Sequence, residues 1–238
     1  EMGGKNALVI DADADLDQAI PAAVHSAFTY AGQKCSAASR LVVLDAVYDE
    51  VVHRLAGAAS MIKVGHPRDM GTVVGPVIDD DAHRRVASYI DRAPVEGRVV
   101  LQRHDVPDVG YFCAPTIVAD VALDLSLARD EIFGPVLTVF RAQDFDDALR
   151  IANTTPYALT AGVFSRSPAH IARAARELRA GNVYVNRAIT GAVVGRQPFG
   201  GFGLSGVGSK AGGPDYLLQF VDPKVVTENT LRQGFAPQ

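Results

Sequence analysis

Two cysteines occur in the 238-residue chain, in opposite surroundings. Cys35 lies in Ala31-Gly32-Gln33-Lys34-Cys35-Ser36-Ala37-Ala38-Ser39-Arg40, a polar loop of small residues. Cys113 lies in Tyr111-Phe112-Cys113-Ala114-Pro115, among aromatic and apolar neighbours. A structural cysteine behaves as a small hydrophobe, which suits Cys113. Positive neighbours such as Lys34 and Arg40 lower a thiol pKa and enlarge the reactive thiolate fraction. Small flanking residues leave room for an incoming carbonyl, and the Cys35 backbone N–H is available to a developing oxyanion. On residue types alone, Cys35 is as readily an inert thiol as a nucleophile. A cysteine nucleophile calls for a base. His25, His53, His66, His83, His104 and His170 fall in no recognisable motif, so a Cys–His hydrolase has no support. Glu1 stands just ahead of Gly3-Gly4, where a carboxylate suits activation of a water as general base. The plainer reading of Glu1 is an exposed terminal residue.

The stretch 188–213 is 26 residues long and holds nine of the 22 glycines. Long loops without regular structure tend to be functional, and glycine allows close approach of the backbone to a ligand. The alternative is a surface loop or an arm packed on another domain. Within it, Gly201-Phe202-Gly203-Leu204-Ser205-Gly206 spells a G-x-G-x-x-G string. The dinucleotide fingerprint needs a strand before it and a helix after it. Here Pro198-Phe199 precedes and more glycines follow, so the phosphate reading fails. The carboxylates of 11–17 alternate as in a calcium loop, but Gln18 and Val24 occupy the positions that need Gly and Glu. They read instead as a helix N-terminus, and no metal site is expected.

The elements that must carry these residues alternate. Strands are expected at 7–10, 41–44, 98–101, 116–118, 136–140, 161–164, 182–185 and 217–221. Helices are expected at 16–30 with Asp15 as cap, 47–61, 80–93 with Asp80 or Asp81 as cap, 145–154 with Asp144 as cap, and 168–178. Strands separated by helices of this length mean βαβ units on a mostly parallel sheet, an α/β fold.

Composition fits a globular chain: 48% hydrophobic and 21% charged residues, with formal net charge −4. The weak acidic balance argues against nucleic acid, and no run reaches the ~18 apolar residues of a membrane span. Two cysteines make no disulfide framework, which points to a reducing compartment, the cytoplasm. The chain opens without Met and runs at once into a strand pattern, so a start inside a longer protein is expected; 227–238 reads as a polar tail.

Taken together, four strings resemble the aldehyde dehydrogenase superfamily. Glu1-Met2-Gly3-Gly4-Lys5-Asn6 is similar to its E-L-G-G-K motif, and Gly32-Gln33-Lys34-Cys35 to the G-Q-x-C segment of the catalytic cysteine. Glu131-Ile132-Phe133-Gly134-Pro135 is similar to E-I-F-G-P, and Pro198 through Gly206 to the late P-F-G-G-x-x-x-S-G loop. The run Asn186 to Gly201, with Lys34 to Arg40 and Ser209 to Tyr216, resembles the Δ1-pyrroline-5-carboxylate dehydrogenase branch.

That resemblance implies a three-layer catalytic domain over 1–213, and a C-terminal strand and tail over 214–238 that contacts other subunits in a homo-oligomer. It implies NAD-dependent oxidation of L-glutamate γ-semialdehyde to glutamate in proline catabolism, with NADP as the other possible cofactor. Cys35 attacks the aldehyde, and Glu1 activates the water that hydrolyses the thioester. Glu131 hydrogen-bonds the nicotinamide ribose and Phe133 packs near the ring. Ser36 and the backbone N–H groups of Gly191 and Ala192 hold the substrate carboxylate, as exposed amides of a glycine loop suit an anion. Phe199 covers the aliphatic stem. Family members are about twice as long because a dinucleotide-binding domain precedes the catalytic one. The chain is therefore expected to be the catalytic half, inactive alone. Competing expectations are another aldehyde as substrate, or a non-catalytic assembly module of the same fold.

Overall fold

A computed structural model describes residues 1–193 and 195–230. Its strands are β1 (Asn6–Ile10), β2 (Ala38–Leu44), β3 (Arg98–Gln102), β4 (Thr116–Ala119), β5 (Val136–Ala142), β6 (Tyr157–Ala158), β7 (Thr160–Phe164), β8 (Asn182–Val185) and β9 (Phe202–Gly203). Its helices are α1 (Leu16–Phe28), α2 (Tyr48–Ser60), α3 (Asp80–Glu96), α4 (Ser126–Arg129), α5 (Phe145–Ala152) and α6 (Pro168–Glu177). Seven strands form one sheet in the order β3-β4-β5-β2-β1-β7-β8, and β6 pairs with β9 apart from it. Every pairing in the large sheet is parallel except β3 with β4. β1 and β7 are buried at every position, as apolar runs covered on both faces must be.

The strand order places the helices. From β1 the chain steps to β2 on one side; from β5 it crosses back past β1 to β7. Right-handed crossovers in opposite directions lie on opposite faces of a sheet. Accordingly α1 packs with α2, and α5 with α6, and the sheet lies between the two pairs. This is the expected α/β architecture in three layers.

Several boundaries differ from expectation for local reasons. α1 ends at Phe28, and Thr29–Gly32 turns sharply, with Tyr30 (φ 57°) and Ala31 (φ 55°) left-handed ahead of Gly32 (φ 68°). A Cβ on Gly32 would stand 2.2 Å from the Gly134 carbonyl oxygen, so the turn demands glycine there. Asp79, rather than Asp80 or Asp81, caps α3, accepting from the Ala82 N–H at 2.8 Å. The expected strand at 217–221 is not formed: Tyr216–Phe220 is a 3-10 turn. Its Leu217, Leu218 and Phe220 are exposed, and an apolar run that meets no sheet edge has no ladder to join. The tail expected at 227–238 extends past residue 230 and so lies partly outside the described residues, as does Val194 in the glycine-rich stretch. Among the described residues no helix is long and apolar enough to cross a membrane.

Lys5 at the head of β1 yields a stability prediction. It is 1% exposed, and its Nζ has no hydrogen-bond partner. Burial, and then the charge of Arg40, lower its pKa from 10.5 to about 7, against the pull of Asp130, Glu131 and Glu96. Between those two values the unfolded chain holds a proton that the folded chain lacks. Stability from this group therefore rises with pH across that window, by about 1 kcal/mol per unit, and is flat below it. Lys5→Met is expected to be more stable than the parent at pH 7, with the difference shrinking by pH 9. Urea unfolding at the two pH values checks this; a constant difference contradicts it.

Candidate active site

In an open parallel sheet, ligands usually bind beyond the carboxyl ends of the strands, where neighbouring crossovers diverge. Here that point lies between β1 and β7, and the chain's own side chains fill it. The buried Asp11 carboxylate accepts from Ser165 Oγ at 2.7 Å and pairs with His170 Nδ1 at 2.6 Å. The His170 ring stacks on Phe145, with centroids 4.0 Å apart.

The residues singled out by their chemistry gather at the opposite edge. Glu1 to Gly4 precede β1, Cys35 and Ser36 precede β2, and Glu131 to Gly134 precede β5. One cleft of about 600 Å³ is lined by Lys34, Cys35, Ser36, Phe133, Gly191, Ala192, Gln197 and Phe199, among others. Glu1 lines the adjoining cleft, which shares Phe199. The Glu1 carboxylate lies near enough to the Cys35 thiol to raise its pKa. Glu131 and Phe133 together line a small cleft beside Gly4 and Lys34, and Phe133 opens onto both it and the Cys35 cleft. Among the described residues no histidine lines the Cys35 cleft, which leaves a Cys–His pair without a partner.

The electrostatics of Cys35 reverse the sequence expectation. Lys34 does not face the thiol; its Nζ lies 3.9 Å from the Tyr30 ring centroid, because the left-handed turn swings it away. Arg40 is buried in β2 and donates to the Ile151 carbonyl at 2.6 Å and to Thr154 Oγ1 at 2.9 Å, closing the C-terminus of α5. With neither cation at hand, burial pushes the Cys35 thiol up to about 11, aided by the Glu1 carboxylate and, more weakly, Glu131. The backbone N–H of Ser36 pulls the other way. Cys113 is a core residue as expected, and burial also raises its thiol to about 11.

Close backbone packing holds the edge together. The Gly4 N–H donates to Glu131 Oε1 at 2.8 Å. Gly3 adopts φ 43°, and a Cβ there would stand 2.6 Å from Glu131 Oε2. Phe133 is left-handed (φ 55°), a sparsely populated state for an aromatic residue, and partly exposed in the cleft. Gly191 is left-handed (φ 82°) with open space around it. The G-x-G-x-x-G string is no phosphate cradle: Phe202–Gly203 pairs with β6, and the Ser205 hydroxyl accepts from the Ala158 N–H at 2.9 Å. The same loop reaches the N-terminus, since the Met2 N–H donates to the Ser205 carbonyl at 2.9 Å.

Sequence reasoning passed over three polar residues that the edge depends on. Asn182 Nδ2 donates to the Pro198 carbonyl at 2.9 Å and ties the middle of the glycine-rich stretch to the start of β8. Gln33 Oε1 accepts from the Ile78 N–H at 2.9 Å, tying the turn before Cys35 to the loop ahead of α3. Asn6 bonds to the Cys35 loop directly. Only Gln33 and Asn6 carried a signal, their places inside the quoted strings.

Comparison with known proteins follows from this arrangement. The profile of the aldehyde dehydrogenase family matches residues 1–226. The 1-pyrroline-5-carboxylate dehydrogenase of Geobacillus sp. (strain WCH70) is 47% identical over 228 residues, 96% of this chain and 44% of its own length. That of Bacillus subtilis (strain 168) is also 47% identical, with the same coverage of 96% and 44%. The chain thus spans less than half the length of these curated relatives. Among solved structures, proline utilization A from Bdellovibrio bacteriovorus inactivated by N-propargylglycine matches with TM-score 0.94 and 55% identity, over 100% of this chain and 25% of that one. The 1-pyrroline-5-carboxylate dehydrogenase from Thermus with bound NAD matches with TM-score 0.90 and 47% identity, over 93% of this chain and 43% of that one.

Proposed function

The chain belongs to the aldehyde dehydrogenase family, and from that premise we propose that it is the catalytic half of an NAD(P)-dependent dehydrogenase. Its substrate is L-glutamate γ-semialdehyde, formed from 1-pyrroline-5-carboxylate, which it oxidises to L-glutamate in proline catabolism. The observation that carries this reading is the cleft in which Cys35 stands with Ser36, Gly191 and Ala192. The relatives named for this reaction support the choice of substrate.

In this reading the Cys35 thiol gives its proton to solvent, and the thiolate attacks the aldehyde carbon. The thiohemiacetal oxyanion so formed becomes a thioester as a hydride leaves its carbon, to be taken up by the nicotinamide cofactor when that is bound. Glu1 then takes a proton from a water that attacks the thioester carbon, and Cys35 leaves as thiolate. The N–H groups of Gly191 and Ala192, with Ser36, hold the α-carboxylate, and Phe199 lies along the stem. Donors left unpaired by a plain alkyl aldehyde make the site discriminate against it.

The nicotinamide cofactor supplies the hydride acceptor. Of the residues present, Glu131 and Phe133 fit its nicotinamide end: Phe133 opens onto the Cys35 cleft, and Glu131 is fixed beside it by the Gly4 N–H. The adenosine and pyrophosphate belong to a preceding cofactor domain of the same polypeptide. Residues 1–213 form the catalytic unit, and 214–238 carries an oligomer contact, supported by the exposed Leu217, Leu218 and Phe220.

Two measurements test this. The 238-residue chain alone is expected to form no NADH from glutamate semialdehyde and NAD, whereas the full-length polypeptide does; measurable turnover by the short chain overturns the division of labour. On the full polypeptide, kcat/KM for glutamate semialdehyde should exceed that for propanal by about 10³-fold or more. A preference for propanal reassigns the substrate.

A further inference from the structure

Asn6 is 3% exposed, and its side-chain amide spends every strong valence on one place. Its Nδ2 donates to the Cys35 carbonyl at 2.6 Å and to the Ala37 carbonyl at 2.8 Å. Its Oδ1 accepts from the Thr160 N–H at 3.0 Å, at the start of β7. Gly4 closes the other side: a Cβ there would stand 2.3 Å from the Cys35 carbonyl oxygen and 2.7 Å from Asn6 Oδ1. The carbonyl of Cys35 is thus enclosed between Gly4 and Asn6.

The carbonyl of residue 35 and the N–H of residue 36 belong to one planar trans peptide, so they point in opposite directions. Pinning the carbonyl toward Asn6 turns the Ser36 N–H the other way, on the side of the Cys35 sulfur, where it favours the thiolate. We propose that Asn6 is the positioning residue for Cys35: by pinning the Cys35 and Ala37 carbonyls it locks the Cys35–Ser36 peptide so that the Ser36 N–H stays turned away from Asn6 and toward the sulfur. This rests on the reading of Cys35 as nucleophile. The need for such a lock is visible in the surroundings. Glu1 and Glu131 both oppose a negative sulfur, and Lys34 is turned away onto Tyr30. The Ser36 N–H is the group named here that favours the thiolate.

The test is alkylation of Cys35 by iodoacetamide against pH in the full-length protein, quantified on the Cys35 peptide by mass spectrometry. Asn6→Leu keeps the approximate size of the side chain, adds no charge, and removes both donors. It is expected to move the midpoint up by about one pH unit, which slows alkylation about tenfold below the midpoint. The variant should also lower kcat by a similar factor and leave KM within about twofold, since the carboxylate anchor is untouched. A merely structural role reduces the amount of folded protein without moving the midpoint. An unchanged midpoint in folded Asn6→Leu overturns the proposal. If Asn6→Leu does not fold, Asn6→Ser is read the same way, and failure of both to fold assigns Asn6 to stability alone and overturns it. The functional reading fails separately, if Cys35→Ala retains turnover.

Discussion

Cys35→Ala in the full-length polypeptide is expected to lower the rate of NADH formation from glutamate semialdehyde by on the order of 10⁴-fold or more. Removing a nucleophile deletes the covalent route, and binding and electrostatic terms alone sustain only a residue of the rate. The half-buried side chain loses few contacts on truncation, so stability should change by less than about 1 kcal/mol. Cys113→Ala provides the contrast. That thiol is 4% exposed in the core, so its truncation is expected to cost more stability and leave the chemistry alone. Steady-state NADH assays with urea unfolding on both variants separate the effects. Cys35→Ala within tenfold of the parent rate removes Cys35 from the mechanism.

The fold was readable in the sequence because β-branched runs such as Leu8 to Ile10 and Leu41 to Leu44 have no place except inside a covered sheet. Their alternation with capped helices then fixes a parallel α/β arrangement. The terminal run around Leu217 misled for the same reason: apolar composition signals a strand only when an edge is there to receive it. The cleft-lining set around Cys35 was legible through short strings that place one residue type beside another. The electrostatics were not. Lys34 is one residue from Cys35 along the chain, yet the left-handed turn at Tyr30 and Ala31 sends its ammonium onto an aromatic face. Asn6 is a single polar letter at the head of an apolar strand. Its partners lie in the Cys35 loop and at Thr160, on elements that only the folded sheet brings to it. Chain proximity reports charge poorly wherever the backbone reverses within two or three residues.

Glu1 gives the sharper prediction, because its two roles pull in opposite directions. As a neighbour of the thiol its negative charge holds the proton on sulfur. As the proposed base it would remove the proton of the hydrolytic water. Glu1→Gln keeps the shape and loses the charge, so the Cys35 thiol should titrate lower than its present value of about 11. Alkylation by iodoacetamide at pH 8 is therefore expected to quicken, by about tenfold for each unit the pKa falls. Turnover should nevertheless drop, by about 10²-fold or more, because Glu131, the other carboxylate at this edge, is held by the Gly4 N–H and lines the neighbouring small cleft rather than the Cys35 cleft. The enzyme should then release a burst of NADH and stall as the thioester, seen as a mass increase on the Cys35 peptide. Slower alkylation in Glu1→Gln would mean that the carboxylate activates the thiol rather than restraining it. Unimpaired steady-state turnover would mean that the hydrolytic base is another group.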